Sequence, residues 1–357
     1  MYRAIVRTAA LFATLLFLHP AHAADARPDA GRVQTHLASH VKYPATRAEV
    51  LAACADTPEF NAAEKKWFAD RLPEGTYASA AQVVTRIDAA SAFKEMRAAL
   101  GTVPTFLKDV PEEGVPGAWE QVKGFVLNPA TSLDGKTKEL ISLAVASQIP
   151  CQYCVYFHTE TSKLNGASER ELREAVAMSG LTRQWSTILN GVQTDDAAFK
   201  AETDKILAYA AKGAPAGEPI AVTDAASAAR DMERTLGVVP SFIGKFPDQG
   251  MAGAWRMTKS IQLNPATALS GKQKELIGLA VAAQIPCKFC TYFHTQAAKL
   301  NGATDVEIRE ALACAAGTRM FSTVLNGNEV DLAAFKRETD GIIRYVKHPQ
   351  GKKLAAQ

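Results

Sequence analysis

KELISLAVASQIPCQYCVYFHTETSKLNG, running from Lys138 to Gly166, decides how this chain is read. Its apolar residues fall at three- and four-residue spacing without sustained alternation, which is the period of a helix and not of a strand. Pro150 cannot continue the first helix and disfavours helical backbone at Ile149. Since proline suits a first turn, Pro150 is expected to open the helix that carries Cys151. That second helix closes at Asn165-Gly166, where glycine takes the left-handed conformation. The next begins at Ser168, with Glu171 three residues on as a capping box. The expected fold is all-α.

The same stretch returns as KELIGLAVAAQIPCKFCTYFHTQAAKLNG, from Lys274 to Gly302. Starting at Asp88, which recurs as Asp224, an offset of 136 holds without a gap for more than a hundred residues. Pro104 matches Pro240, Trp119 matches Trp255, Asn128-Pro129 matches Asn264-Pro265, and Leu189-Asn190-Gly191 matches Leu325-Asn326-Gly327. The second capping box, Thr304 with Glu307, follows the same register. One ancestral unit has been copied in tandem. GAPAGEP, from Gly213 to Pro219, breaks helices and suits a linker. The chain therefore divides into a leader at 1–23, a small helical unit at 24–87, copy one at 88–213, a linker at 214–223, copy two at 224–349 and a tail at 350–357. The small unit is punctuated by Thr57-Pro58 and by Leu72-Pro73-Glu74-Gly75.

The leader is read from Arg3 and Arg7, the apolar run Ala9 to Leu18, and Ala21-His22-Ala23, a small-x-small cleavage site. It predicts an exported, periplasmic protein whose cysteines meet an oxidising space and rest as disulfides. The apolar run is shorter than the ~20 residues of a spanning helix, so no membrane association is expected after cleavage. With 357 residues, 47% of them hydrophobic, the chain is long enough for more than one core. Its formal charge is +3, and two of those positive charges belong to the leader. Neither nucleic acid nor an anionic membrane is indicated as a partner.

On a helix, positions i, i+3 and i+7 lie within about 60° of one another. Cys151, Cys154 and His158 then share a face, as do Cys287, Cys290 and His294. A cysteine in a first turn faces unpaired N–H groups that favour an anion and lower its pKa, and a histidine one turn on is placed to take the proton. Glu139 and Glu275 each stand twelve residues before the first cysteine and reach the histidine if the two helices pack antiparallel. The residue types also allow a zinc site or a structural disulfide. Cys314, at the position of Met178, and Cys54, among Leu51, Ala52 and Ala53, read as buried apolar residues. Trp119, Trp255, Phe125, Phe157 and Phe293 read as helix packing, and Phe157 and Phe293 are also candidates for the wall of a thiol pocket.

The glutamate, the C-x-Y/F-C-x3-H run and the following Asn-Gly-Ala turn closely resemble the alkyl hydroperoxidase D and carboxymuconolactone decarboxylase-like family, over both copies but not the small unit. The resemblance implies an all-α fold, a homo-oligomer, and hydroperoxide reduction through the cysteine pair without metal or cofactor. It puts the peroxide-attacking thiolate on Cys154 and Cys290. Cys151 and Cys287 become the resolving partners that close a disulfide, and Glu139–His158 and Glu275–His294 become proton relays. Alkyl hydroperoxidase D carries a further histidine between its cysteines; here Tyr153 and Phe289 stand there. The reductant is expected to be an external dithiol, the substrate a hydroperoxide. The other readings are thiol–disulfide exchange without peroxide turnover, a carboxymuconolactone decarboxylase-like lyase, and a zinc-binding assembly module.

Overall fold

A computed structural model describes residues 27–213 and 218–348. The leader and the tail read from the sequence lie outside those residues, as does part of the linker. The chain divides into two compact units, one ending at Ser91 and the other beginning at Ala92.

In the first unit, α1 (Ala30–His40), α2 (Arg47–Ala55) and α3 (Ala62–Arg71) precede the first part of α4 (Ala80–Leu100). Each of the first three starts on a side-chain cap: Asp29 on α1, Thr46 with Glu49 on α2, and Asn61 with Glu64 on α3. Such caps satisfy N–H groups that a helix leaves open and are worth about 1 kcal/mol each. A two-residue antiparallel pair, β1 (Ala45–Thr46) with β2 (Thr76–Tyr77), sets Ala45 opposite Tyr77. Leu37, Val50, Phe68, Tyr77 and Val83 form its core.

In the second unit, copy one supplies α5 (Thr105–Lys108), α6 (Val115–Gln121), α7 (Gly135–Gln148), α8 (Gln152–Leu164), α9 (Glu169–Gly191) and α10 (Asp196–Lys212). Copy two supplies α11 (Ala225–Leu236), α12 (Asp248–Ile261), α13 (Gly271–Gln284), α14 (Lys288–Leu300), α15 (Asp305–Gly327) and α16 (Leu332–Lys347). The all-α expectation holds. α7 is buried at every position from Thr137 to Ala146, and α13 from Lys274 to Ala282. A helix buried on all sides belongs at a centre, and these two form it together with α9 and α15. Leu140, Ile141, Met178 and Leu181 join Leu276, Ile277, Ala311 and Ala315 in one cluster.

The copies are related by an internal two-fold. Gln273 Nε2 donates to Thr137 Oγ1 at 3.1 Å, and these are the same position in the two copies. Glu310 accepts from the N–H groups of Ser132 and Leu133, while Glu174 accepts from those of Ala268 and Leu269. Reciprocal contacts of this kind mark a self-complementary interface. The last helix of each copy then crosses to the other. Tyr156 donates to Asp340 at 2.7 Å and Tyr292 to Asp204 at 2.8 Å, which ties α16 to α8 and α10 to α14. Farther along, Tyr345 donates to the Ala98 carbonyl and Tyr209 to that of Arg234. Gly101 and Gly237, at φ of 79° and 76°, make room for those rings, since a Cβ there would lie inside the tyrosine.

The tryptophans are packing anchors. Trp119 donates to Glu95 at 2.9 Å, Trp255 to Asp231 at 2.8 Å, and Lys123 and Lys259 complete the two sets. Among the described residues, no helix is long and apolar enough to cross a membrane.

Candidate active site

The lysine and glutamate of the repeated Lys-Glu-Leu do different work. Lys138 is buried and gives its ammonium protons to the carbonyls of Phe125 and Asn128 and to Thr131 Oγ1, at 2.8–2.9 Å, fixing the loop before α7. Burial pushes its pKa down. Glu139, next to it, turns toward α8. Because the short link at Ile149 and Pro150 folds α8 back along α7, Glu139 Oε2 lies 2.7 Å from His158 Nδ1. Glu275 Oε2 and His294 Nδ1 repeat that 2.7 Å contact. With Nδ1 engaged by a carboxylate, Nε2 is the nitrogen left to exchange a proton.

The surroundings of the two carboxylates differ. Thr161 Oγ1 donates to Glu139 at 2.5 Å, whereas Ala297 takes that place in copy two and Gln262 Nε2 donates to Glu275 at 3.1 Å instead. Gly278 lets the His294 ring sit against α13, for a Cβ there would fall within the imidazole; copy one has Ser142 at that position.

Pro150 does not open α8. It remains in the link, and Cys151 is the N-cap residue, its Sγ accepting the N–H of Cys154 at 3.2 Å. Cys287 caps α14 likewise, accepting from the N–H of Cys290 at 3.3 Å. A sulfur in the N-cap position takes the place usually held by a serine or aspartate oxygen, so the N-terminal cysteine of each pair is the one the helix end favours as an anion. Cys151 and Cys154 are joined as a disulfide. Cys287 and Cys290 are thiols with their sulfurs 2.7 Å apart. The hydrogen bond from Cys290, followed by those from Ser186 and the helix N–H, brings the Cys287 thiol down to about 6 against the opposition of burial. Cys290 is pushed up, first because it gives its proton toward Cys287 and then by burial. All four sulfurs lie in cysteines that are at most 4% exposed, so only a small reactant or a local opening reaches them.

Tyr153 is committed elsewhere: its hydroxyl donates to the Val330 carbonyl at 2.5 Å and its ring packs edge-on to Phe335. It ties α8 to copy two and makes no relay. Phe289 is packed edge-on to Phe199. Phe157 and Phe293 stand edge-on to their neighbouring histidines, and Phe157 also meets Phe106. Burial pushes the Cys54 thiol up to about 11, and burial followed by the Glu139 charge pushes Cys314 up to about 12. Both are buried, as the sequence reading expects. The groups weighed as zinc ligands pair off as dithiol and carboxylate–imidazole, and among the described residues no three His, Cys, Asp or Glu side chains are grouped to hold a metal ion.

Two groups that the spacing of the motif does not reveal arrive from the opposite copy. Asn326 Nδ2 lies 3.8 Å from Cys151 Sγ, and the side chains of Ser186 and Asn190 help hold the Cys287 thiol below its ordinary range. Their only trace in the sequence is the repeated Ser-x3-Asn-Gly at the end of α9 and α15.

Residues 113–194 and 253–329 each match the profile of the Carboxymuconolactone decarboxylase family. Both segments contain the complete glutamate, cysteine and histidine set. Among solved structures, a provisionally assigned gamma-carboxymuconolactone decarboxylase subunit from Burkholderia xenovorans LB400 is 20% identical, with a TM-score of 0.45, over 70% of this chain and 98% of that one. No curated protein matches the chain.

Proposed function

From the premise that the body of this chain is a tandem pair of carboxymuconolactone decarboxylase-family domains, we propose that it is a thiol-dependent peroxidase reducing hydroperoxides at two dithiol centres. The observation that carries the reading is the repeated meeting, in each copy, of an N-capping cysteine, a second cysteine one turn on, and a histidine held by a buried glutamate. A lactone-decarboxylating lyase has no use for the cysteine pair.

In the proposed cycle the charge rests on Cys287, and the proton shared between the two sulfurs passes to it as Cys290 attacks. The Cys290 thiolate attacks the terminal peroxide oxygen, forming an S–O bond as the O–O bond breaks, so that Cys290 becomes a sulfenic acid and the alkoxide leaves. His294, oriented by Glu275, supplies the proton that turns the leaving alkoxide into an alcohol. The Cys287 thiol then attacks the sulfenic acid, forming the disulfide and releasing water. One dithiol and one hydroperoxide become one disulfide, one alcohol and one water. Cys154, Cys151, His158 and Glu139 take the same roles in copy one. An external dithiol of the exported space reopens the disulfide, the export itself resting on the leader.

A second reading, thiol–disulfide exchange, is favoured by the place of Cys287, the N-terminal member of its pair, as the N-cap of α14, where a thiolate is stabilised. Stopped-flow mixing of reduced protein with cumene hydroperoxide separates the two. Peroxide is expected to be consumed by the wild type and not by the double variant Cys154→Ser, Cys290→Ser. If wild-type protein leaves the peroxide untouched yet reduces a small disulfide through Cys287, exchange is the activity.

A further inference from the structure

Each dithiol lies in one copy and meets a polar pair from the other. Asn326, near the end of α15, reaches Cys151 at 3.8 Å, and Asn190 occupies the equivalent position at the end of α9, beside Leu189, which packs with Cys287. Each amide is pinned from its own helix. Asn190 Nδ2 donates to the Ser186 carbonyl at 2.8 Å and lies 3.3 Å from its hydroxyl; Asn326 makes the same contacts to Ser322 at 2.7 and 3.3 Å. Both serines are buried, at 1% and 2% exposed, which keeps water from taking over their hydroxyls. The intervening leucines confirm the register independently: Leu189 packs in one cluster with Cys287 and Cys290, and Leu325 with Cys151 and Cys154.

A thiolate is a large, diffuse anion that gains from several directed donors, and burial costs it heavily when they are missing. The N-cap geometry provides one backbone N–H. The asparagine amide, held in place by the serine, is aimed at the sulfur as a second donor, already oriented before the proton leaves. We propose that Ser186 with Asn190, and Ser322 with Asn326, are positioning residues that hold the N-terminal cysteine sulfur of the opposite copy as an anion, so that neither dithiol is complete without the other half of the chain. The inference deepens the peroxidase reading and rests on it only for the use made of the thiolate.

The test is iodoacetamide labelling of the reduced full-length chain across a pH series, quantified peptide by peptide by mass spectrometry. The double variant Ser186→Ala, Asn190→Ala is expected to raise the labelling midpoint of Cys287 by about one unit, leaving roughly tenfold less thiolate below it, while Cys151 keeps its profile. Ser322→Ala, Asn326→Ala is expected to do the mirror-image thing to Cys151. Asn190→Asp, which keeps the size of the side chain and turns a carboxylate toward the sulfur, raises the Cys287 midpoint further. The other titratable groups around Cys287 are Cys290, the His294–Glu275 pair, and the Lys288–Asp196–Lys200 and Tyr292–Asp204 contacts with α10. None of these is altered in any variant, so they drop out of the comparison. An unmoved Cys287 midpoint in Asn190→Asp, or a shift in Cys151 instead, overturns the proposal. Because labelling needs no peroxide, an unmoved midpoint with intact turnover sinks this inference alone, and a moved midpoint without turnover sinks the peroxidase reading alone.

Discussion

At the scale of single residues, the chemistry is a matter of which sulfur holds the charge. With its pKa brought to about 6, well under an ordinary thiol, Cys287 is expected to react with iodoacetamide throughout the neutral range and to lose that reactivity as pH falls below about 6. Cys54 and Cys314, raised to about 11 and about 12, stay unlabelled at neutral pH in the folded protein; comparable labelling of all the thiols at pH 7 would contradict this. Glu139→Gln together with Glu275→Gln leaves both histidines without a charged partner and is expected to lower peroxide turnover roughly 10²-fold, the usual range for a disturbed acid–base group. Spacing made the glutamate, cysteine and histidine set readable, because helical periodicity dictates which residues share a face. Asn326 was not readable as a site residue, since nothing in a single copy says that a neighbour's helix end will meet its thiols.

At the scale of elements, caps and close approaches decide where each helix begins and what it touches. The boxes at Ser168 and Thr304 were legible, as a hydroxyl with a glutamate three residues on has few other uses at that place. Pro150 misled because its position before Cys151 also suits a link, and the sulfur itself could cap the helix. Also invisible was the π-helical turn at Val122–Val126, whose counterpart in copy two is the ordinary continuation of α12. Two substitutions test this scale. Gly278→Ala drives a methyl into the His294 ring, so peroxide-dependent disulfide formation should fall at Cys287–Cys290 and persist at Cys151–Cys154. Gly237→Ala, which combines a left-handed backbone with a collision against Tyr209, is expected to cost about 1–3 kcal/mol in thermal unfolding. An unchanged melting curve would show that the crossing of α10 onto copy two is looser than described.

At the scale of the whole molecule, the repeat foretold two similar halves, and the halves turned out to share their parts. α10 covers α14 and α16 covers α8, so the two copies pack on each other within the unit that begins at Ala92. Sequence comparison of the copies cannot distinguish helices that pack at home from helices that cross, because both carry the same residues. Residues 92–213 expressed alone are therefore expected to dimerise or aggregate in sedimentation analysis, with residues 218–348 rescuing them as a one-to-one complex; a stable monomer of either half would contradict the crossing. In the proposed cycle both dithiols are redox centres for hydroperoxide. The most direct measurement is a titration of fully reduced protein with cumene hydroperoxide, in which cumyl alcohol and disulfide-linked peptides are counted together. One alcohol for each disulfide is expected, with the disulfides at Cys151–Cys154 and at Cys287–Cys290 and with Cys54 and Cys314 still reduced. Peroxide left intact beside reduced pairs, or consumed with the oxidation found on Cys54 or Cys314, would contradict it.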